Sequence, residues 1–259
     1  MPTETPLPDF DLDLTGQVAF VTGTTSGLGR RFAQVLAAAG ASVACTGRRA
    51  DRLDELAVEI RGRGGTCAPI PLDVTDADAC IAAMQRAEDE LGPVSILVNN
   101  AGIPDAQYAA RMSIELIDQV LDTNLRGPFV LSCELARRLM ARKAPGRIVN
   151  ISSMGAYSYQ GGGAALYSIT KAGIVRMTET LAVEWARFGI NVNGIAPGAF
   201  ASEMMDGMLE RVGDITRAFP RQRLGDPSQL DSTLLYLVSP SSTFVTGTIV
   251  KVDDGQGAR

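Results

Sequence analysis

Thr22-Gly23-Thr24-Thr25-Ser26-Gly27-Leu28-Gly29 is the stretch on which the fold turns. Just before it, Gln17 to Val21 is a short apolar run with β-branched and aromatic members, suited to a buried parallel strand. Just after it, apolar residues at Phe32, Val35, Leu36 and Ala39 recur at helical spacing until Gly40, the glycine end of an amphipathic helix. Strand, glycine turn and helix in that order are the setting in which three glycines cradle a dinucleotide. Gly23 permits the tight turn, Gly27 lets backbone approach a pyrophosphate, and Gly29 lets the helix lie close to the sheet. The N–H groups that open the helix then face the phosphates.

The same alternation runs outward to the end of the chain. The patterning predicts further strands over 42–46, 66–72, 94–98, 147–151, 190–195 and 248–252. Between them it predicts helices over 51–60, 77–91, 113–142 (with Gly127-Pro128 marking a bend), from Tyr167 to about Phe188, and 227–237. Such regular alternation implies an α/β fold: one doubly wound domain whose mainly seven-stranded parallel sheet carries helices on both faces. No repeat, linker or low-complexity tract divides the 259 residues. Residues 1–13 read as a loose N-terminal arm.

Composition narrows the chemistry. There is no histidine, which removes Ser-His-Asp and Cys-His catalysis and the commonest metal ligand. Acid–base work falls to Tyr, Lys, Asp, Glu or Cys, and no metal site is expected. A net charge of −5 and a pI near 4.9 argue against nucleic acid as a partner, because that binding rests on neutralised phosphates. Met1 to Leu14 lacks the basic start of a signal peptide, and no apolar run reaches the roughly 18 residues of a membrane span. Cys45, Cys67, Cys80 and Cys133 show no paired spacing and read as small buried residues. A cytoplasmic protein with no membrane partner is the expectation.

The candidate catalytic stretch runs from Ser152 to Lys171. If the segment opening at Tyr167-Ser168-Ile169-Thr170-Lys171 is helical, Tyr167 and Lys171 share one face, four residues apart. An ammonium beside a phenol pulls its pKa below the usual value of about 10, and a tuned phenol serves as a general acid or base. Ser153 ends an apolar run where it could hydrogen-bond a substrate oxygen. The spacing alone does not separate this reading from a solvated tyrosine and lysine on a surface helix.

Taken together, Thr22-Gly23-x-x-x-Gly27-x-Gly29, Asp73, Asn99-Asn100-Ala101-Gly102, Asn124, Ser153, Tyr167-x-x-x-Lys171 and Pro197-Gly198 resemble the short-chain dehydrogenase/reductase family. The resemblance covers Leu14 to Gly255. It implies a Rossmann fold, a nicotinamide cofactor, and assembly as a homotetramer or homodimer. It implies that Tyr167 exchanges a proton with a carbonyl or alcohol oxygen, and that Ser153 orients that oxygen. Lys171 would tune the phenol and hold the nicotinamide ribose, and Asn124 would hold a water linking the lysine to solvent; a helix kink satisfied by the Asn124 amide is the alternative. Asn100, Ala101 and Gly102 would lie near the adenosine ribose. Asp73 with Val74 would contact the adenine, unless Asp73 is simply a helix N-cap. Thr25, Ser26 and Leu28 belong to the glycine turn, and Pro197, Gly198 and Ser202 would meet the nicotinamide end.

Three departures from the family pattern stand out. One residue more than usual separates Ser153 from Tyr167, and Gly161-Gly162-Gly163 could absorb it; Ser152 is the neighbouring alternative to Ser153. Ser202 stands where a threonine is frequent. Val252-Asp253-Asp254-Gly255 carries an acid in place of a glycine.

The second strand ends in Thr46-Gly47-Arg48-Arg49, without the carboxylate that commonly bonds the ribose of NAD. A guanidinium there suits a 2′-phosphate, so Arg48 and Arg49 favour NADP(H), with NAD(H) possible. Against this, Thr25-Ser26 stands where a basic residue is frequent, and Arg48 could pair with a carboxylate on the next helix. Ser153, Met154, Tyr159, Phe200, Met204, Met205 and Met208 are the expected pocket wall, with 199–222 a substrate lid; the methionines could equally pin a short helix. The expected substrate is a ketone or secondary alcohol of moderate size with apolar bulk. A β-ketoacyl thioester reductase, a sugar or polyol dehydrogenase, and a catalytically silent dinucleotide-binding regulator are the alternatives. Arg126, Arg137, Arg138, Arg142 and Lys143 read as a solvated helix face, or as a surface for an acidic carrier protein.

Overall fold

Strand β1 (Val18–Thr22) is buried along its whole length, and its side chains alternate between two apolar layers. Val18 and Phe20 pack on one side of the sheet, Ala19 and Val21 on the other. The computed structural model describes residues 12–159 and 161–257, so the arm expected over 1–13 lies outside the described residues except for its last two. The other strands are β2 (Ser42–Gly47), β3 (Thr66–Pro71), β4 (Ile96–Asn99), β5 (Gly146–Ile151), β6 (Ile190–Pro197) and β7 (Ile249–Val252). All pair in parallel, in the order β3-β2-β1-β4-β5-β6-β7.

Helices cover both faces. One apolar layer holds α1 (Gly27–Ala38), α2 (Ala50–Gly62) and α8 (Asp231–Val238) through Phe32, Leu36, Leu53, Leu56, Leu234 and Leu237. The opposite layer holds α3 (Ala77–Leu91), α5 (Gly127–Arg142) and α6 (Ala165–Trp185) through Met84, Leu131, Leu135, Ile174, Leu181 and Trp185. The helix period delivers these apolar stripes to the sheet. Cys45, Cys67 and Cys80 are buried within the layers and Cys133 partly so; all four are free thiols.

The region expected as one bent helix over 113–142 is α4 (Ile114–Leu121), a π-helical turn over Asp122–Arg126, and α5. Gly127 keeps helical angles, so the irregularity lies one turn earlier than the Gly127-Pro128 pair itself. Pro128 has no N–H for the carbonyl of Asn124 four residues back, and its ring would crowd that carbonyl. The chain slips register instead: the Gly127 N–H reaches five residues back to the Asp122 carbonyl. Asn124 is thereby turned inward, 1% exposed.

From β1 the chain winds outward to β2 and β3, then returns to β4 and winds the other way. At such a switch point the loops beyond the strands' carboxyl ends diverge and leave a crevice for a ligand. The glycine turn follows β1, Asn100 to Gly102 follow β4, Ser153 follows β5, and Gly198 follows β6.

Candidate active site

The glycine turn is fixed by its neighbour across the switch point. Thr22 Oγ1 accepts from the Asn100 and Ala101 N–H groups, both at 3.0 Å, and Asn100 Nδ2 donates to the carbonyls of Thr22 (2.9 Å) and Gly23 (3.2 Å). Gly23 has φ +71°, and a methyl there would press on Ala101 at 3.0 Å. A methyl on Gly29 would overlap the Gly23 carbonyl and the Asn100 amide. Gly23 is therefore required by conformation and by close approach, and Gly29 by close approach alone.

The start of α1 suits a pyrophosphate. Ser26 stands at its N-cap but makes no capping bond, and the first turn carries no acid. The helix thus offers N–H groups and the positive end of its dipole, uncapped by Ser26. A carboxylate at the end of β2 is sterically disfavoured as well as missing, because a Cβ at Gly47 would lie 2.7 Å from Thr25 Cγ2. The residues present fit a dinucleotide.

Ser153, Tyr167 and Lys171 converge. A methyl on Gly155 would lie 3.4 Å from Ser153 Oγ and 3.8 Å from Tyr167 Cε1, so hydroxyl and ring face each other across that glycine. Ser152, the neighbouring alternative, is committed elsewhere: its hydroxyl donates to the Lys171 carbonyl at 2.8 Å. Gly161, Gly162 and Gly163 all have positive φ (92°, 81° and 73°), and this run accommodates the extra residue between Ser153 and Tyr167.

The expected lowering of the Tyr167 pKa is not found. Burial pushes the phenol above its usual value, the Ser153 hydroxyl pulls it down by less, and Asp105 adds to the rise. Lys171 Nζ sits 5.5 Å from the ring centroid and donates to the Ile151 carbonyl at 2.9 Å. Its own pKa is pulled down to about 8 by burial, so it is still mainly charged at neutral pH but gives up its proton far more readily than a solvated lysine.

That lysine carries a stability consequence. Its folded value lies below its unfolded one of about 10.4, so in that window the unfolded state binds more protons and stability rises with pH. Below pH 8 both states are charged and the fold carries the full cost of desolvation; above the unfolded value neither is charged. Lys171→Met should therefore be most favoured over wild type near pH 7 and lose that advantage by pH 10.5, as read by urea unfolding. A difference that stays constant across the window would contradict a buried lysine with a depressed pKa.

Asn124 braces the loop after β4. Its Oδ1 accepts from Ile103 N at 2.8 Å, and its Nδ2 donates to Ile103 O at 2.9 Å and to Thr170 Oγ1 at 3.3 Å. A methyl on Gly102 would lie 3.4 Å from both Asn124 Oδ1 and Lys171 Nζ, so all three meet at one point. The kink and the amide bonds are thus both present.

Sequence reasoning missed Asp105. This carboxylate is 2% exposed; its Oδ2 accepts from Leu166 N (2.8 Å) and Tyr167 N (3.1 Å), and its Oδ1 from Ala106 N (2.9 Å). Ala164 at the N-cap of α6 has no side chain able to cap. Asp105 supplies the missing acceptor from another loop and fixes the turn that carries Tyr167.

Several expected residues lie differently. Phe200 is in the core, 6% exposed and packed on Gly225, and Met154 is buried against Gly257. Both were expected to line the pocket; a loop's apolar residue turns inward wherever the core has room. Tyr159, Met204 and Met208 are exposed, and Met205 partly so. No residue of α7 (Glu203–Val212) is buried, so its methionines do not pin it into the core. Asp73 is exposed and accepts from Thr75 N and Oγ1; the cap of α3 is Asp76, which accepts from Ala79 N at 2.9 Å. Val74 is buried under Gly127. Ser202 caps α7 through Met205 N at 3.2 Å. At Pro197-Gly198, the Gln256 side chain accepts from Ala199 N at 2.6 Å. Asp254 has φ +52°, so the backbone follows the left-handed course open to glycine, and its carboxylate pairs with Arg221 (3.3 Å) and Arg223 (2.8 Å). Arg126 and Arg137 pair locally with Asp122 and Glu134, Arg138 with Glu134 and Glu88, and Arg142 with Glu88, so the last two bridge to α3.

Comparison with known proteins identifies the family. The family model for short chain dehydrogenases matches residues 17–212. The chain is 39% identical to a galactitol 2-dehydrogenase (L-tagatose-forming) of Cereibacter sphaeroides, covering 93% of this chain and 95% of that one. It is 35% identical to a 2-dehydro-3-deoxy-D-gluconate 5-dehydrogenase of Formosa agariphila, over 94% and 93% of the two chains. A candidate 2-deoxy-D-gluconate 3-dehydrogenase from Agrobacterium tumefaciens, crystallised with NADP, superposes with a TM-score of 0.86 at 34% identity, covering 96% of this chain and 99% of that one. The chain belongs to the short-chain dehydrogenase family. It is an NAD(P)-dependent oxidoreductase that moves hydride between a nicotinamide and a ketone or secondary alcohol. Among the described residues no helix is long and apolar enough to cross a membrane.

Proposed function

We propose that the protein interconverts a ketone and a secondary alcohol within a sugar acid or polyol, with Tyr167 as the general acid–base and NADP(H) favoured over NAD(H). The observation that carries this is the meeting of Ser153 and Tyr167 at Gly155, with Lys171 packed on Tyr167 and reaching Gly102, beyond the carboxyl ends of β4 and β5. When bound, the nicotinamide supplies or accepts the hydride. A phenol raised by burial is protonated at neutral pH, the form that gives a proton to a carbonyl oxygen. Ser153 donates to the same oxygen and shares its developing charge. Lys171, with a pKa near 8, exchanges protons close to neutrality and refills the phenol. Asn124 braces the Ile103 backbone beside Gly102 and Lys171 Nζ and so supports the lysine's surroundings. Alcohol oxidation needs the phenolate, so its rate should climb toward alkaline pH.

The relatives act, by their names, on polyhydroxylated compounds. Met154 and Phe200 are buried, whereas Gln107, Tyr108 and Tyr159 are exposed. The segment 199–222 is the substrate lid of this proposal, supported by the surface position of α7. Following cofactor absorbance at 340 nm against polyols, aldonates and apolar alcohols tests the substrate class. Turnover of the polyhydroxylated set is expected; turnover confined to apolar alcohols would contradict it.

Arg48 supports the cofactor preference: it is exposed and pairs with no carboxylate among the described residues, contrary to the helix-pair alternative. Arg48→Ala should raise KM for NADPH about tenfold, the loss of one charge-assisted contact, and leave NADH nearly unchanged. Equal effects on both cofactors would count against the assignment. Self-association in the cytoplasm, as a homotetramer or homodimer, completes the proposal. Phe129 on α5 and Ile169 and Val183 on α6 are exposed apolar residues that support it.

A further inference from the structure

The two arginines after β2 are disposed differently. Arg48 pairs with no carboxylate among the described residues, whereas Arg49 folds back over the glycine turn. Its Nη2 donates to Thr25 Oγ1 at 2.9 Å, Ser26 Oγ at 3.1 Å and Glu203 Oε2 at 3.1 Å, and its Nη1 adds Glu203 Oε1 at 3.4 Å. Glu203 opens α7, next to Ser202, whose Cβ would lie 3.3 Å from a methyl on Gly27. The carboxylate therefore hangs over the rim of the same turn whose uncapped helix start fits a pyrophosphate. The guanidinium fork that could reach a phosphate there is already filled.

We infer that Glu203 is a cofactor-selecting residue: it occupies Arg49 and, as an anion at that rim, opposes a 2′-phosphate, so it sets the balance between NADP(H) and NAD(H). The inference rests on the proposed preference for NADP(H). A phosphomonoester carries close to two negative charges at neutral pH and three acceptor oxygens. It can take the Arg49 fork only by displacing the Glu203 carboxylate. NAD(H), with a hydroxyl in that place, leaves the ion pair intact. Arg49 and Glu203 side chains are 44% and 58% exposed, so solvent screens the pair and displacement is feasible but not free. One guanidinium is thus shared between the cofactor and the start of the proposed lid.

Calorimetric titration of wild type, Glu203→Gln and Arg48→Ala with NADP+, NAD+ and adenosine 2′,5′-bisphosphate tests this without turnover. Glu203→Gln should tighten NADP+ and the bisphosphate by about three- to fivefold, the range of an exposed ion pair, and leave NAD+ within about twofold. Equal changes for NADP+ and NAD+, or weaker NADP+ binding, would overturn the inference and leave the carboxylate as a lid contact alone. If Arg48→Ala shifts the NADP+/NAD+ ratio and Glu203→Gln does not, only this inference fails. If Arg48→Ala leaves the ratio unchanged while Glu203→Gln raises it, the Arg48 assignment fails and the selecting role of Glu203 stands.

Discussion

Tyr167→Phe should bind cofactor as wild type does and lose about 10²- to 10⁴-fold in kcat for ketone reduction, the usual worth of a positioned proton donor. The substitution removes one oxygen and keeps the ring that packs beside Gly155. No neighbour can take over. The Lys171 ammonium is turned to the Ile151 carbonyl, and the Asp105 carboxylate is held by three backbone N–H groups. Ser153 faces the phenol but, as a neutral hydroxyl, is a far weaker acid at neutral pH. Single-turnover absorbance at 340 nm, with cofactor affinity measured separately, gives the answer. A variant retaining more than a tenth of wild-type kcat would refute the assignment of the acid.

Asp105→Ala should damage both stability and rate. Removing the carboxylate leaves the partly buried N–H groups of Leu166 and Tyr167 without an acceptor, at about 1–3 kcal/mol each. Partial rescue by water brings the expected loss to roughly 2–4 kcal/mol, and Tm down by about 5–10 °C. Because Tyr167 itself sits on that turn, loosening it should lower kcat by roughly ten- to a hundredfold. Asp105→Asn keeps an acceptor oxygen and should recover most of the stability. If Asp105→Ala unfolds at the wild-type temperature, the carboxylate does not hold the start of α6. If it is less stable but equally fast, it holds the helix without placing the tyrosine.

What the sequence made legible was local. The seven strands and the glycine turn rest on patterns spanning fewer than ten residues, and each strand appears within two residues of its expected place. Long-range partners were not legible. The start of α6 lacks any capping side chain at Ala164, a signal that some other residue must cap it, but nothing in the pattern points to Asp105, about sixty residues earlier. The Arg49–Glu203 pair spans 154 positions and is equally silent. Periodicity finds apolar residues without saying which way a loop turns them, hence Phe200 and Met154. The pKa of Tyr167 went the other way because sequence spacing gives the approach of an ammonium but not the cost of burying the phenol. The π-helical turn was half legible: Pro128 announces a disturbance, which falls on the carbonyl four residues before it.

A crystal structure with nicotinamide cofactor and a bound ketone is the most direct test of the proton-donor arrangement. The hydroxyls of Tyr167 and Ser153 should both lie within hydrogen-bond reach of the ketone oxygen, with Lys171 Nζ behind the phenol. A phenol turned away from that oxygen in a fully occupied, closed site would contradict the arrangement and leave the proton donor unassigned.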